Sequence, residues 1–258
     1  MSVTTDEAAR AALRARQGPG YREDSPQAPA RELLWARRGT AYFARVLGGL
    51  SDAELDAPSL LPGWSRRHVV AHVGYNARAL TRLLEWARTG VETPMYASAE
   101  QRGAEIESGA TLPARALRSL VAHAERHLDV EWRDLPGPAW EARVRTAQGR
   151  LVPVRETAWM RTREVWIHAL DLDAGASTRD FPPELLGALL VDVPRMWRRR
   201  EETVRLRLVP DGGDDVVLGD GGPTVSGSLP DLVRWLAGRG ARGLTSSAGE
   251  LPHLPRWF

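Results

Sequence analysis

Apolar residues recur at helical spacing in two long segments of the first ninety residues. The first segment runs from Arg31 to about Gly49 and ends in a glycine pair. The second follows the turn Leu61-Pro-Gly-Trp-Ser65, in which Ser65 is a good N-cap residue, and its apolar stripe continues to Gly90. This pattern predicts two amphipathic helices joined by a turn.

Two further helices are predicted between residues 113 and 172. One runs from Pro113 to Arg133 and is stopped by a segment rich in proline and glycine. The other runs from about Arg155 to Leu172 and is apolar nearly all round, which indicates a helix buried on most sides. Four long helices with intervening loops predict an up-and-down or crossover bundle.

The pattern changes after Gly175. A helix from Pro183 to Arg200 precedes Val204–Val209, which alternates apolar and charged residues as a half-buried strand does. Further strands are predicted at 216–218 and near Val225, and a last helix at 229–238. The fold class is therefore mainly α with an α+β appendage, divided into an extension (1–28), a helical domain (29–177) and a small α+β domain (178–258).

Composition narrows the chemistry that the chain can perform. It has no cysteine, so a metal would need His, Asp or Glu ligands, and thiol chemistry would need a thiol from outside. All 35 basic residues are arginine, but they are spread among 33 acidic residues and form no basic stripe, which argues against nucleic acid as a partner. Neither a signal peptide nor a run of about 18 apolar residues occurs, so we expect a soluble, cytoplasmic protein with no membrane partner.

Charged residues inside the most apolar helix are the strongest functional signal. Burying Glu164, His168 and Asp171 there is costly unless something pairs with them. Glu164 and His168 are four residues apart, so both can face one cation. His72, on the apolar stripe of the second helix, could supply a third ligand. Three protein ligands and one open position are typical of catalytic zinc.

Other interpretations of these residues stay open from spacing alone. Glu-x-x-x-His is more often an ordinary ion pair than a metal site, and a rival set of His123, His127 and Glu131 repeats every four residues on the third helix. That helix carries polar residues on its other faces as well, which favours a solvated stripe; they include Arg118, Glu125 and Arg126. We expect His68 to have a helix-start role and His253 to have no specific role.

Two stretches of the helical part resemble a known family. They are Ser59-Leu-Leu-Pro-Gly-Trp-Ser65 leading to His72 and Tyr75-Asn-Ala-Arg78, and Trp159-Met-Arg-Thr-Arg-Glu-Val-Trp-Ile-His-Ala-Leu-Asp-Leu172. Both resemble the mycothiol-dependent maleylpyruvate isomerases, which belong to the wider DinB-like group of metal-binding four-helix bundles. The resemblance extends from about residue 30 to the C-terminus and is looser after the bundle. Residues 1–28 have no counterpart in it.

The resemblance implies a site and a reaction. The zinc ligands of the family fall on His72, Glu164 and His168, and an arginine expected to face the active site falls on Arg239. The implied reaction is cis to trans isomerisation of maleylpyruvate to fumarylpyruvate in gentisate degradation, by addition of a zinc-activated thiolate, bond rotation and elimination. The two carboxylates of the substrate call for arginine contacts, for which Arg82 and Arg78 follow Arg239 as candidates.

The identity of the thiol and two other functions stay open. Mycothiol is the thiol usual in the family, whereas ergothioneine or glutathione would need a different pocket. The same scaffold could instead serve a thiol S-transferase that conjugates a thiol to electrophiles. It could also be a binding or regulatory module in which four protein ligands close a structural metal site.

Overall fold

The structure is a computed structural model that describes residues 23–257. Residues 1–22 of the predicted extension lie outside this range. The rest of that segment lies against the helical part, since the Arg37 guanidinium donates to both carboxylate oxygens of Asp24 at 2.5 and 2.7 Å. Arg155 also donates to the carbonyl of Gln27 at 2.9 Å.

The four predicted helices are present, with bounds within one residue of those expected. They are α1 (Ala30–Gly48), α2 (Arg66–Thr89), α4 (Ala114–Asp134) and α5 (Glu156–Asp171). Helix α3 (Ala99–Ala110) was not predicted, nor was a hairpin of β1 (Arg143–Arg145) and β2 (Leu151–Pro153). Helix α3 packs beside α2, and the hairpin leads into α5.

Close packing of α1 against α5 depends on Gly39. A Cβ at this position would lie 2.5 Å from both Val165 Cγ2 and Trp166 Nε1. The indole of Trp166 is held there because its Nε1 donates to the carbonyl of Trp35 at 2.9 Å. The missing side chain therefore lets the helix that carries Glu164 and His168 approach α1.

Replacing Gly39 with alanine should lower the free energy of unfolding by about 1–3 kcal/mol, the usual cost of overpacking a tight core. Denaturant titration measures the change. Gly48→Ala on the same helix is the matched control, because a Cβ there meets nothing within 4 Å. Equal stability of the two variants would show that α1 and α5 can move apart without cost.

The C-terminal part combines two helices with a four-stranded sheet. Its helices are α6 (Pro183–Arg199) and α7 (Leu229–Leu236), and its strands are β3 (Leu206–Pro210), β4 (Val216–Leu218), β5 (Thr224–Gly227) and β6 (Thr245–Ser246). The strand order is β4-β3-β5-β6, in which β3 pairs with β5 in parallel and the other pairs are antiparallel. The predicted fold class, a helical bundle with an α+β appendage, is confirmed.

One apolar core runs from the helical bundle into the C-terminal part. It joins Phe43 and Val69 of the bundle with Phe181, Trp197 and Val225. A second core fills the opposite end of the bundle, around Leu80, Leu84, Trp132 and Trp140. The predicted boundary at residue 177 stays a prediction, since the larger core crosses it. Within residues 23–257, the helices are too short or too polar to span a bilayer.

Candidate metal centre and active site

Helix α2 presents His72 to the interior. The helix begins at a capping box in which the Ser65 amide donates to Nδ1 of His68 at 3.2 Å. This contact gives His68 the predicted helix-start role. One turn further on, His72 is 4% exposed, and its Nε2 lies 2.8 Å from Oε2 of Glu164 on α5.

Helix α5 supplies the other two side chains of the cluster. His168 lies one turn after Glu164, and its Nε2 is 3.2 Å from the same carboxylate oxygen. The two imidazole rings meet edge to face with centroids 4.7 Å apart. One potential ligand atom from each of His72, Glu164 and His168 lies within 4.8 Å of the others. The structure thus brings together the three side chains that the sequence selected.

Burial and mutual contact shift the pKa values of the cluster in different directions. Burial lowers the pKa of His72 despite the neighbouring Glu164 carboxylate, so this imidazole is neutral at pH 7. Burial would raise the pKa of Glu164, but His72 and His168 outweigh that effect and hold it well below its usual value. A neutral imidazole and an ionised carboxylate are the forms that bind a metal.

Asp171 contacts Nδ1 of His168, the ring nitrogen that does not face Glu164. Its Oδ2 lies 2.8 Å from Nδ1 of His168, and the carboxylate also accepts bonds from Arg239 Nε at 2.8 Å and Nη2 at 2.7 Å. Burial lowers the pKa of His168, but the hydrogen bonds to Asp171 and Glu164 raise it further than burial lowers it. Asp171 thus joins the bundle to the C-terminal part, which provides Arg239.

The cluster opens into a cavity of about 1000 Å³. This size is at the upper end for small-molecule sites and suits two ligands bound together. Among the described residues, its wall includes two acidic side chains, Glu92 and Glu164, and seven arginines: Arg102, Arg145, Arg150, Arg163, Arg199, Arg200 and Arg239. The excess of positive charge favours an anionic ligand.

The donor set fits a divalent metal ion. Two imidazole nitrogens and one carboxylate oxygen match the ligand types of catalytic zinc, and the cavity leaves one side of the cluster open to a small molecule. The carboxylate on Nδ1 of His168 is the kind of outer contact that fixes the ring orientation of a metal-binding histidine. The assignment of these residues as zinc ligands stays a prediction.

The rival histidines lie apart from the cavity. His123 and His127 are exposed on α4, where His127 Nε2 lies 3.6 Å from Glu131. His253 is exposed near the C-terminus. Glu125, which was named among the polar residues on the other faces of α4, is not solvated. Its carboxylate is 10% exposed and pairs at 2.9 Å with the buried Arg161 of α5.

The structure does not bring Arg78 and Arg82 into the cavity. Arg78 is exposed, with its guanidinium 5.6 Å from the centroid of the Tyr75 ring. Arg82 donates to the carbonyl of Met95 at 2.5 Å and lies 3.8 Å from Glu105. Arg239 does line the cavity, so it is the member of the predicted arginine set that a substrate can reach.

Several residues of the cavity wall were not singled out from the sequence. Tyr96 and Arg102 come from the segment between α2 and α3 and from α3 itself. Asn76 of α2 also lines the cavity, and its Oδ1 accepts a bond from Arg161 at 2.9 Å. The neighbouring large apolar side chains of Met95 and Tyr96 in the loop before α3 were the available signal.

Fold and site together define an enzyme of the helical-bundle class, in which a buried His-Glu-His cluster forms part of an arginine-rich cavity. Comparison with protein families matches residues 36–173 to the mycothiol maleylpyruvate isomerase N-terminal domain. A crystal structure of the mycothiol-dependent maleylpyruvate isomerase is 46% identical, with a TM-score of 0.85, over 90% of this chain and 98% of that one. The chain belongs to the mycothiol-dependent maleylpyruvate isomerase family.

A second solved structure gives the same result. It is a histidine-to-alanine mutant of the mycothiol-dependent maleylpyruvate isomerase, 45% identical, with a TM-score of 0.84 and coverage of 90% of this chain and 98% of that chain. A comparison with curated proteins finds no significant match. Because the similarity covers both the bundle and the C-terminal part, the family assignment applies to nearly the whole described chain.

Proposed function

We propose that the protein is a cis-trans isomerase that converts maleylpyruvate to fumarylpyruvate, a step of gentisate degradation, with mycothiol as the thiol and zinc held by His72, Glu164 and His168. The observation that carries this proposal is the convergence of those three side chains at an arginine-lined cavity. Membership of the family supports the same reaction and the same thiol.

The residues of the site have separate roles in this proposal. A zinc ion bound there would supply the positive charge that ionises a thiol at neutral pH, since free thiols have pKa values near 8.5. Asp171 keeps Nδ1 of His168 occupied, so that Nε2 faces the cavity. The arginines bind the two carboxylates of the substrate and hold it in one orientation.

Arg239 is the arginine placed to contact a substrate carboxylate close to the cluster. It gives one N–H from Nε and one from Nη2 to Asp171, and one from Nη1 to the carbonyl of Ala237. A guanidinium has five N–H groups, so two of them, on Nη1 and Nη2, are left for a ligand. Its fixed position makes it a preorganised anion contact.

Arg239→Ala should raise KM for maleylpyruvate or lower turnover while zinc content stays unchanged. A hydrogen bond to a charged group contributes about 1.5–3 kcal/mol, which corresponds to roughly a 10- to 100-fold loss in kcat/KM. Steady-state kinetics and metal analysis measure the two effects. Arg198→Ala is the control, because Arg198 is exposed and lies outside the cavity wall. Unaltered kinetics in Arg239→Ala would exclude it as a substrate contact.

The decisive experiment is an isomerisation assay with maleylpyruvate, in which mycothiol, ergothioneine and glutathione are each tested with and without zinc. We expect fumarylpyruvate to form with mycothiol and zinc, and the thiol to be recovered in full. Net consumption of the thiol would indicate an S-transferase instead. If the metal has four protein ligands and the protein is inactive with every thiol, the metal has a structural role.

A further inference from the structure

The proposed function gives Tyr96 no role and gives Arg102 none beyond its place among the cavity arginines. Both side chains line the same cavity as His72 and Glu164. Tyr96 lies close enough to Arg102 and Glu164 for both charges to act on the pKa of its phenol. Arg102 Nη2 is 3.4 Å from Nδ1 of His72. The Arg102 guanidinium therefore lies beside one candidate metal ligand, and Tyr96 faces the same cavity.

The segment that carries Tyr96 is held on both sides. Before it, the Met95 carbonyl accepts a bond from Arg82 at 2.5 Å, and the Thr93 hydroxyl donates to the Arg82 carbonyl at 2.7 Å. After it, the Ala97 amide donates to Gln101 Oε1 at 2.7 Å. These contacts fix the backbone on either side of the phenol, as a catalytic donor requires.

Arg102 is placed to orient the phenol. Among residues 23–257, no carboxylate oxygen forms an ion pair with Arg102, although most arginines of α2 and α5 have such partners. The contact at 3.4 Å with an imidazole is long for a hydrogen bond. The Tyr96 hydroxyl can accept from Arg102 through its oxygen and still point its own proton elsewhere.

The proposed isomerisation needs a hydrogen-bond donor at the keto oxygen of the substrate. When the sulfur of the thiol forms a bond to one alkene carbon, the carbon π bond breaks and its electron pair moves through the conjugated system onto the keto oxygen. After rotation the pair returns, the double bond reforms and the carbon–sulfur bond breaks. The keto oxygen is negative only between these events, so a donor to it stabilises the transition states more than the substrate.

We infer that Tyr96 is a catalytic residue that donates its O–H hydrogen bond to this oxygen, and that Arg102 is a positioning residue that keeps the phenol aimed at it. The inference rests on the proposed function and adds a charge-stabilising group to it. No proton has to leave the phenol, because the negative charge returns to sulfur when the thiol departs.

The protonation state of the phenol agrees with this role. Burial, and to a smaller extent the nearby carboxylates, raise the pKa of Tyr96 to about 12 even though Arg102 acts in the opposite direction. The hydroxyl therefore keeps its proton at neutral pH and can act as a donor. An ionised phenolate at this place would instead repel the oxygen on which charge develops.

The test is Tyr96→Phe, which removes one oxygen atom and keeps the ring. Removing a single donor to a developing oxyanion lowers kcat by about 10²- to 10³-fold. We expect that fall with maleylpyruvate and mycothiol in the zinc-loaded enzyme, with KM values, zinc content and the far-UV circular dichroism spectrum unchanged. Tyr75→Phe is the matched control, because Tyr75 lies on α2 outside the cavity wall.

Each other result for Tyr96→Phe overturns the inference. An unchanged kcat would exclude the Tyr96 hydroxyl as the donor. A raised KM alone would mean that the phenol acts in substrate binding. Loss of zinc or an altered fold would show that Tyr96 has a structural role. If the wild-type enzyme is inactive with every thiol, the proposed function and this inference are both overturned. If the wild type is active and Tyr96→Phe is equally active, the inference alone is overturned.

The double variant Tyr96→Phe/Arg102→Leu separates the two roles. If Arg102 acts through the phenol, Arg102→Leu alone lowers kcat, but adding it to Tyr96→Phe lowers kcat no further, as expected for residues that act as a unit. A further fall in kcat in the double variant would show that Arg102 acts on the substrate directly and would overturn its positioning role.

Discussion

His72→Ala should abolish zinc binding and isomerase activity together, while the fold survives. The variant leaves two of three candidate ligands, Glu164 and His168, both on one face of α5. Without metal, only a few per cent of a thiol is ionised at pH 7. The concentration of the reactive thiolate is then roughly 30-fold lower. Displacing the reacting groups by even 1 Å lowers the rate by about a further 10²-fold. We therefore expect activity to fall by about 10³-fold or more.

His127→Ala is the control for this prediction, since His127 is an exposed member of the rival histidine set. Zinc content by elemental analysis, activity and far-UV circular dichroism are measured on both variants, and His168→Ala should behave as His72→Ala does. Full isomerase activity in a demonstrably metal-free His72→Ala protein would refute the metal-dependent mechanism. Loss of zinc in His127→Ala would instead indicate that the metal site lies on α4.

The sequence predicted the cluster of His72, Glu164 and His168 because two local rules coincided. Helical spacing placed Glu164 and His168 one turn apart, and the apolar surroundings of α5 made charged residues there costly without a partner. His72 followed from the same reasoning, since it lies on the apolar stripe of α2. Each of these statements uses only residues within a few turns of one helix, which is the range over which sequence periodicity is informative.

Contacts between distant segments could not be predicted in this way. Glu125 looked solvated because its own helix is polar around it, yet its partner Arg161 lies 36 residues further on. Helix α3 escaped prediction because Ile106 is its single large apolar residue. Without α3 there was no reason to place Tyr96 near His72, since a loop has no periodic face.

The placement of Arg78 and Arg82 could have been judged from the sequence. They follow His72 by six and ten residues, which at about 100° per residue puts them roughly 240° and 280° further round the helix. Asn76, four residues after His72, is only about 40° away and does line the cavity. Chain proximity to a candidate ligand is therefore a poorer guide than angular position.

Asp171→Ala should both destabilise the protein and weaken its hold on zinc. The carboxylate is fully buried, and its loss leaves the Arg239 guanidinium, 10% exposed, without its charged partner. Breaking such a pair from one side costs about 3–5 kcal/mol. Removing the hydrogen-bond partner of a metal-binding histidine typically costs a further 10- to 100-fold in metal affinity, here through His168.

The pH dependence of stability gives a second measure of the same carboxylate. Burial would raise the pKa of Asp171, but the bonds from Arg239 and His168 outweigh it and lower the pKa from 3.8 to about 2. A depressed pKa means that the stabilising contribution is complete above the unfolded value and is lost as pH falls from about 4 toward 2. Asp171→Asn should remove this part of the acid sensitivity in the metal-free protein.

A double-mutant cycle separates the ion pair from the general cost of altering a buried site. Asp171→Ala, Arg239→Ala and the double variant are unfolded with denaturant in metal-free form, and zinc affinity is measured by competition with a chelator. Removing both partners leaves no unpaired buried charge, so the double variant should be destabilised by less than the sum of the single changes. It should nevertheless keep the weakened zinc binding of Asp171→Ala, because His168 still lacks its partner. Additive destabilisation, or zinc affinity equal to wild type in Asp171→Ala, would show that the carboxylate does not connect the metal centre to the C-terminal part.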